Sequence, residues 1–291
     1  METSLLERRA VDVGGSRFEV VVRGEGTPTV VFVNGLGSPL EEWALVAPSL
    51  ATRCRVVCYD RRVVPRGGPI PTRDAARSAA DLKDVLQALG VSGPLVLVGH
   101  SWGGAIVRQF VLDCPDDVAG LVFVDASHEG IKGMIPRRPR ATRVLYTSST
   151  LMLRIGPLRR RLLRSLGFDR IPPSVLHTVN GLRWVAEGRT SRAEFAGIAS
   201  SLRALAVGAP DLPPVPTRVL LAAGRSGWMV KLGAKQFAAV RAVWEKAVAG
   251  RSDILLESVA NSGHYISLDQ PQAVISAISD VVDQVALRRV G

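Results

Sequence analysis

Short runs of nearly uninterrupted apolar residues recur along this chain and alternate with helical patterns. Four of these runs read TVVFVN, PLVLVG, GLVFVD and RVLLAA. Strands that are apolar on both faces belong in a parallel sheet that helices cover on each side. The alternation therefore predicts an α/β fold with a doubly wound, mostly parallel sheet. The candidate strands are Phe18–Arg23, Thr29–Asn34, Arg55–Tyr59, Leu95–Gly99, Gly120–Asp125, Arg218–Ala223 and Asp253–Leu256. The candidate helices are Arg73–Leu89, Trp102–Asp113, Ala234–Val248 and Gln272–Ala286.

The alternation of strands and helices stops after Asp125. Residues 130–212 show helical and loop patterns without a convincing strand; PRRPR opens this region and the proline-rich APDLPPVPT closes it. We interpret it as a helical insertion that forms a cap over the carboxyl-terminal edge of the sheet, where open α/β sheets bind ligands. Residues 1–129 and 213–291 would then form the core domain.

The excess positive charge of the chain lies in this predicted insertion. The chain has a formal net charge of +11; residues 130–212 hold 15 basic and four acidic residues, and the remainder balances 22 of each. A basic protein first suggests a nucleic-acid partner. However, the chain has no zinc-finger spacing, no basic-region heptad and no RNA-binding interleaving of aromatic and basic residues. We therefore expect no nucleic-acid partner and relate the charge to what enters the cap or docks beside it.

The sequence also suggests a cellular location and the absence of bound groups. No run of about 18 uncharged apolar residues occurs, so no transmembrane helix is expected. The first residues, METSLLERRAVDV, carry charges where a secretory leader would be apolar. We therefore expect a cytoplasmic protein. The three cysteines do not cluster as metal ligands, and we expect neither a metal nor a cofactor.

A glycine-rich turn supplies the best candidate for a nucleophile. Gly99-His100-Ser101-Trp102-Gly103-Gly104 contains a G-x-S-x-G pattern that follows an apolar strand and opens a helix. Small residues at 99 and 103 permit the tight turn that exposes a strained serine at its apex. Ser101 is therefore the candidate nucleophile. The alternative is an ordinary strand-to-helix turn with an incidental serine.

Several segments together resemble the α/β-hydrolase-fold serine hydrolases of the esterase and lipase type. They are VVFVNGLG, GPLVLVGHSWGG, VAGLVFVDASHE and NSGHYISLDQP, and the resemblance covers the chain except residues 130–212. It implies that Ser101 is the nucleophile of a catalytic triad. It also implies an oxyanion hole in which the turn after an early strand supplies one backbone N–H. Here that turn is Asn34-Gly35-Leu36-Gly37, with Asn34 where histidine is usual. The Leu36 N–H and the Trp102 N–H are the expected donors. The turn could also be an ordinary strand end.

The sequence supports one candidate for the base of the triad more strongly than any candidate for the acid. His264 lies in NSGHYISLDQP, and the order of serine before histidine matches the family, so His264 is the expected base. His100 is expected to pack rather than transfer protons, and His128 could shape the pocket. The usual acid position after RVLLAA holds Gly227. Some members carry the acid at the end of the strand after the nucleophile helix, where this chain has Asp125. Asp125 is the preferred acid, although it could instead bond backbone amides at the strand end; Glu129 is the less favoured alternative.

The nucleophile restricts the reaction class. Family members with aspartate at this position hydrolyse epoxides or carbon–halogen bonds, and Ser101 does not readily support that route. A serine favours an acyl-enzyme on Ser101, formed from an ester, thioester or lactone. We expect a hydrolase acting on a hydrophobic or amphiphilic small-molecule ester. An acyltransferase or cofactor-free perhydrolase with the same triad remains open, as does a non-catalytic ligand receptor.

A basic amphipathic segment, Leu151–Leu166, bears on access to this site. Its apolar residues recur at helical spacing and Pro157 could divide it. It could be a helix with a buried leucine face, an apolar acyl tunnel rimmed with cations, or a weak docking element for an anionic membrane surface. The recurring residues are Leu151, Ile155, Leu158, Leu162 and Leu166.

Overall fold

The computed structural model describes residues 8–61, 72–131, 155–172, 189–208, 212–224 and 228–288; for Arg159, Leu162 and residues 228–237 it describes the backbone alone. Eight strands form one sheet in the order β1-β2-β4-β3-β5-β6-β7-β8. The six strands from β4 to β8 in this order are parallel to one another. β2 pairs antiparallel with β4 on one side and with β1 on the other. The strands are β1 Arg9–Val13, β2 Ser16–Arg23, β3 Thr29–Val33, β4 Val56–Tyr59, β5 Leu95–His100, β6 Val118–Val124, β7 Thr217–Ala222 and β8 Ile254–Val259.

Helices cover both faces of this sheet. The α-helices are α1 Ala47–Leu50, α2 Ala75–Ala88, α3 Trp102–Asp113, α4 Gly156–Ser165, α5 Arg189–Gly208, α6 Trp228–Ala247, α7 Ile266–Asp269 and α8 Pro271–Arg288. Short 3-10 helices lie at Leu40–Trp43, Pro115–Asp117 and Phe168–Arg170. The predicted doubly wound, mostly parallel sheet is confirmed.

The central strands bury both of their faces, as their sequences predict. In β3, Val31 and Val33 pack into one hydrophobic cluster, which includes Trp102 of α3. The alternate residues Val30 and Phe32 pack into a second cluster on the opposite face of the sheet. Successive side chains of a strand point to opposite faces, so a strand covered on both sides needs apolar residues throughout.

The three largest differences from the predicted elements are one missed strand, one longer strand and one longer helix. The strand Arg9–Val13 was not predicted, because its sequence RAVDV pairs only with β2 and leaves most of its side chains exposed. The strand Ile254–Val259 runs three residues beyond the predicted end at Leu256, and the helix Trp228–Ala247 begins six residues before the predicted start. Pro271 is the first residue of α8, where proline is favoured because an N–H is not required there.

The predicted insertion is partly described. Its described residues form α4, the 3-10 helix Phe168–Arg170 and α5, and contain no strand; its boundaries stay a prediction. Of the alternatives for the basic segment, a buried apolar face does not hold at Ile155 and Leu158, which are 57% and 37% exposed, whereas Leu163 and Leu166 pack against the core. Ile155 precedes the helix, which begins at Gly156, and Leu158 lies within it on an exposed side. The acyl-tunnel alternative stays a prediction. Leu151 and the Leu162 side chain lie outside the described residues. The suggested contact with an anionic membrane surface stays a prediction.

Among the described helices, none is both long enough and apolar enough to span a membrane.

Candidate active site

Ser101 sits at a strained turn between β5 and α3. Its φ is 51° and its ψ is −118°, an unfavourable conformation for a residue with a side chain. The flanking glycines permit this turn because the backbone approaches itself closely there. A Cβ on Gly99 would lie 2.8 Å from the Gly104 Cα, and a Cβ on Gly103 would lie 2.1 Å from the Val33 carbonyl oxygen. The turn therefore exposes the Ser101 hydroxyl at the carboxyl-terminal edge of the sheet.

A histidine and a carboxylate line up behind this hydroxyl. His264 lies in the loop between β8 and α7, and its Nε2 is 2.9 Å from the Ser101 Oγ. Its Nδ1 is 2.6 Å from the Asp125 Oδ2. These distances suit a neutral imidazole that donates its Nδ1–H to Asp125 and accepts the Ser101 hydroxyl proton at Nε2. Ser101 and Asp125 directly follow β5 and β6, and His264 lies in the loop after β8, so all three are at the carboxyl-terminal edge of the sheet.

Asp125 combines both interpretations that the sequence left open. Its Oδ2 binds His264, and its Oδ1 accepts the backbone N–H of Ala222 at 3.1 Å. Burial would raise the pKa of this carboxyl, but the interactions with His264 and the hydrogen bond from the Ala222 N–H together outweigh burial and lower it. Asp125 is therefore an ionised carboxylate held in place by the neighbouring strand end.

The other candidates for the acid do not contact His264 in the same way. Glu129 accepts a hydrogen bond from Arg108 Nη2 at 3.0 Å and forms a second one with Nη1. Burial would raise the pKa of Glu129, but Arg108 outweighs it and lowers that pKa. Glu129 thus forms an ion pair with Arg108, a residue of α3. Gly227, at the usual acid position, lies outside the described residues.

The two other histidines singled out from the sequence have structural surroundings. His100 is buried; its Nδ1 is 3.2 Å from Glu42 Oε2, and its Nε2 is 2.9 Å from the backbone oxygen of His264. Burial opposes the charge on His100, but the Glu42 carboxylate outweighs it and raises the pKa of His100. His128 packs edge-on against Trp244, with ring centroids 5.0 Å apart.

The predicted oxyanion turn lies directly beside Ser101. A Cβ on Gly35 would be 3.4 Å from the Ser101 Cβ. Neither the Leu36 N–H nor the Trp102 N–H donates to another described residue. Asn34, which stands where the family usually has histidine, is buried: its Oδ1 accepts from Trp43 Nε1 at 2.9 Å and its Nδ2 donates to the Tyr59 carbonyl at 3.1 Å. The asparagine therefore braces the turn from the inside.

Three charged residues that sequence reasoning missed hold the same turn. Glu42 accepts the Gly35 N–H at 3.1 Å, and Glu194 accepts the Gly37 N–H at 3.3 Å. Arg61 donates to the carbonyl oxygens of Asn34 and Gly35 and pairs with Glu194. Burial opposes the charge on Arg61, but Glu194 outweighs it and raises the Arg61 pKa. Arg61 and Glu194 are 133 residues apart, and no local pattern in the sequence marks them as partners.

The site is open on the side of the histidine. The His264 side chain is 47% exposed, whereas that of Asp125 is 11% exposed. Within the described ranges, no cluster of three or more His, Cys, Asp or Glu residues could hold a metal ion. The arrangement can transfer a proton from a serine hydroxyl to an imidazole, beside two backbone N–H groups that donate to no residue in the described part of the chain.

Comparisons with known proteins agree on the fold. A family model described as "Alpha/beta hydrolase family" matches residues 30–277. A fluoroacetate dehalogenase from Burkholderia sp is 38% identical over 125 residues, which is 41% of this chain and 40% of that protein. A putative carbamate hydrolase, RutD, from Enterobacter cloacae is 34% identical over 103 residues, which is 35% of this chain and 38% of that protein. These matches span less than half the length of either curated relative.

Two solved structures are similar along nearly the whole chain. The epoxide hydrolase CorEH superposes with a TM-score of 0.69 at 20% identity, covering 95% of this chain and 98% of that one. An esterase from Thermogutta terrifontis superposes with a TM-score of 0.64 at 20% identity, covering 96% and 99%. At this level of identity the likeness establishes the fold alone.

Proposed function

Since this chain belongs to the alpha/beta hydrolase family, we propose that it is a serine hydrolase that cleaves an ester, thioester or lactone bond through an acyl-enzyme on Ser101. One observation carries this proposal: the Ser101 hydroxyl, the His264 imidazole and the Asp125 carboxylate form a continuous series of hydrogen bonds on a strained turn. A serine hydroxyl is a weak nucleophile until an adjacent base accepts its proton, and this series supplies the base.

The reaction follows from the geometry in two halves. In the first, the Ser101 Oγ attacks the substrate carbonyl carbon while His264 Nε2 takes its proton. Asp125 keeps the Nδ1–H oriented and stabilises the imidazolium. The tetrahedral oxyanion accepts hydrogen bonds from the Leu36 and Trp102 N–H groups. His264 then gives its proton to the leaving alcohol, thiol or ring oxygen. In the second half, His264 takes a proton from a water, whose oxygen adds to the acyl carbon. The second tetrahedral intermediate then collapses: the bond from the acyl carbon to Ser101 Oγ breaks, His264 returns the proton to Oγ, and the free acid leaves.

The identity of the nucleophile separates this chain from some of its relatives. The relatives include a fluoroacetate dehalogenase and an epoxide hydrolase. Members of the family that act on such bonds use an aspartate at the turn, and this chain has Ser101. The resemblance among these proteins therefore supports the fold and a hydrolytic reaction, while Ser101 favours acyl transfer to water.

A serine-directed fluorophosphonate tests the nucleophile. The wild type should be labelled and Ser101→Ala should not, because the reagent phosphonylates an activated serine oxygen. Labelling is followed by intact-protein mass spectrometry. Equal labelling of the two proteins would contradict the assignment of Ser101.

Two carboxylate variants test the acid. Asp125→Asn should lower kcat on a small aryl ester by about 10⁴-fold, because an amide at this position favours the wrong imidazole tautomer. Glu129→Gln is the matched control four residues further on, and its kcat should stay within about threefold of wild type since Glu129 pairs with Arg108 rather than His264. The reverse ranking of the two variants would refute Asp125 as the acid.

Partition of the acyl-enzyme distinguishes hydrolysis from transfer. With an added alcohol, a hydrolase should release mainly the free acid, and an acyltransferase should release mainly the new ester. Tight ligand binding with no turnover across an ester panel would instead favour a non-catalytic receptor.

A further inference from the structure

In the turn Asn34–Gly37, which we call the oxyanion loop, charged side chains bind the backbone N–H groups before and after that of Leu36. Glu42 binds the Gly35 N–H at 3.1 Å and Glu194 binds the Gly37 N–H at 3.3 Å. Between them, the Leu36 N–H donates to no other described residue. The neighbouring amides are thus occupied, and the intervening one is left for a ligand.

The direction of the Leu36 N–H follows from the contact made by Arg61. In a trans peptide, the carbonyl of one residue and the N–H of the next lie in one plane and point in opposite directions. Arg61 Nη2 donates to the Gly35 carbonyl oxygen, and Arg61 Nη1 donates to the Asn34 carbonyl oxygen at 2.7 Å. Because Arg61 fixes the Gly35 carbonyl on one side, the Leu36 N–H must point away from Arg61.

Glu194 holds Arg61 in this orientation. It accepts from Arg61 Nε and, at 3.0 Å, from Nη2; the two side chains are 6% and 0% exposed. A two-point contact to a planar guanidinium prevents its rotation. The net stability gained from a buried ion pair is commonly small, because both charges must leave water. Its geometric effect is therefore the more informative one.

Glu194 belongs to a helix whose own position is tightly set. The helix Arg189–Gly208 accepts the Arg73 N–H on the Ala193 carbonyl at 2.9 Å. The Ser201 hydroxyl accepts the Ala75 N–H at 2.8 Å. A Cβ on Gly197 would lie 2.4 Å from the Arg73 carbonyl oxygen, so the helix and the segment before α2 are in direct backbone contact. The carboxylate is therefore delivered to the loop from a fixed support.

We propose that Arg61 and Glu194 are positioning residues that aim the Leu36 N–H into the oxyanion hole. The helix Arg189–Gly208 thereby sets the catalytic competence of a loop 157 residues earlier in the chain. This inference rests on the proposed serine-hydrolase function. It assigns neither residue a contact with the substrate.

The experiment compares Glu194→Gln with a matched control, Asp81→Asn. Asp81 forms another buried ion pair, with Arg73, in which both side chains are 6% exposed. Asp81 has no hydrogen bond to the oxyanion loop among the described residues. Both variants replace a buried carboxylate by its isosteric amide and remove a negative charge from beside an arginine. They differ in that only Glu194 also accepts a hydrogen bond from the oxyanion loop, so a difference between them reports on that contact. Arg61→Lys, which keeps the charge beside Glu194 but loses the planar fork, is the second test variant.

The first measurement is of kcat and KM with a small aryl ester as the substrate. Glu194→Gln and Arg61→Lys should lower kcat by about 10²-fold with KM within about threefold, the pattern of a contact that matters only in the transition state. Asp81→Asn should keep kcat within about threefold. Equal losses of kcat in Glu194→Gln and Asp81→Asn would overturn the proposal.

A second readout does not depend on turnover. Amide hydrogen exchange of a peptide covering residues 34–38 should be at least about tenfold faster in Glu194→Gln than in wild type and unchanged in Asp81→Asn. Unchanged exchange in Glu194→Gln would overturn the proposal. If wild type shows no Ser101-dependent hydrolysis, the proposed function fails, and the exchange result alone then decides whether Glu194 holds the loop. If Glu194→Gln does not fold, Arg61→Lys decides by the same two measurements.

Discussion

Two turns meet at the candidate active site, and they follow adjacent parallel strands. The nucleophile turn, Gly99–Gly104, follows β5, and the oxyanion loop, Asn34–Gly37, follows β3. In the proposed mechanism each supplies one N–H to the oxyanion. The first is held by close backbone packing at glycines, and the second by carboxylates and a guanidinium from distant parts of the chain.

This difference concerns the kind of force that fixes each turn. At the nucleophile turn, close backbone contacts leave no room for a side chain on Gly99 or Gly103, so glycine is needed at both positions. At the oxyanion loop, Glu42, Arg61 and Glu194 make hydrogen bonds to its backbone. Substitutions that change volume should therefore affect the first turn most. Substitutions that change charge should affect the second.

The largest expected effect is on the nucleophile turn. Gly103→Ala should destabilise the protein by about 3 kcal/mol, because its Cβ would overlap the Val33 carbonyl oxygen. Gly208→Ala, also in a helix but with open space around it, is the control and should be neutral or stabilise by up to about 1 kcal/mol. Urea unfolding measures both. Equal free energies of unfolding for the two variants would show that close packing at Gly103 does not hold the nucleophile turn.

An intermediate effect, with a dependence on pH, is expected at the oxyanion loop. Glu42→Gln should destabilise the protein by about 2 kcal/mol at pH 6, because it weakens hydrogen bonds of the Gly35 N–H and of His100. Folding raises the pKa of His100 above its ordinary value. The stabilisation from the contact between charged His100 and Glu42 is therefore fully present below about pH 6.5 and is lost as the pH rises through the folded pKa of His100. The difference between wild type and Glu42→Gln should therefore shrink from pH 6 to pH 9.

The pH dependence is measured by urea unfolding at both values. Asp81→Asn is the control, since its Arg73 partner does not titrate in this range and its cost should not change with pH. A cost of Glu42→Gln that grows with pH would show that the Glu42–His100 contact does not act as described.

The smallest effect is expected where the residue after the oxyanion loop contacts Tyr265, the residue after His264. The Ser38 Oγ and the Tyr265 hydroxyl are 2.8 Å apart. Ser38→Ala should cost about 1 kcal/mol, because the half-buried Tyr265 hydroxyl can bind water instead. A double-mutant cycle with Tyr265→Phe should give a coupling of about 0.5–1 kcal/mol. Strictly additive effects would show that the two side chains are not coupled.

The two turns also differ in what the sequence can predict. The nucleophile turn follows from neighbouring residues: an apolar strand, small residues at 99 and 103, and a helix pattern predict both the turn and Ser101. The resemblance to the α/β-hydrolase family, carried by the segments VAGLVFVDASHE and NSGHYISLDQP, also predicts that Asp125 and His264 act with Ser101. The structure places these three side chains in hydrogen-bond contact; their catalytic roles stay proposals.

The support of the oxyanion loop could not be predicted in this way. Arg61 follows a strand and Glu194 lies within a helix, and each has the local pattern of an ordinary surface charge. Only the tertiary structure brings a residue 133 positions away into a buried pair. The strand Arg9–Val13 was missed for a related reason, since an exposed edge strand has no long apolar run.

The pairing of Arg61 with Glu194 also constrains how this protein can be recombined. The predicted insertion, residues 130–212, would be the natural segment to exchange between hydrolases in order to alter which substrates they accept. In this chain, such an exchange would remove the counter-ion of a buried guanidinium and the acceptor of the Gly37 N–H at the same time. A chimera should therefore lose turnover for reasons unrelated to substrate fit unless the donor segment carries a carboxylate where Glu194 stands. If Arg61 and Glu194 have the proposed roles, an exchange of this segment would change substrate specificity and catalytic rate at the same time.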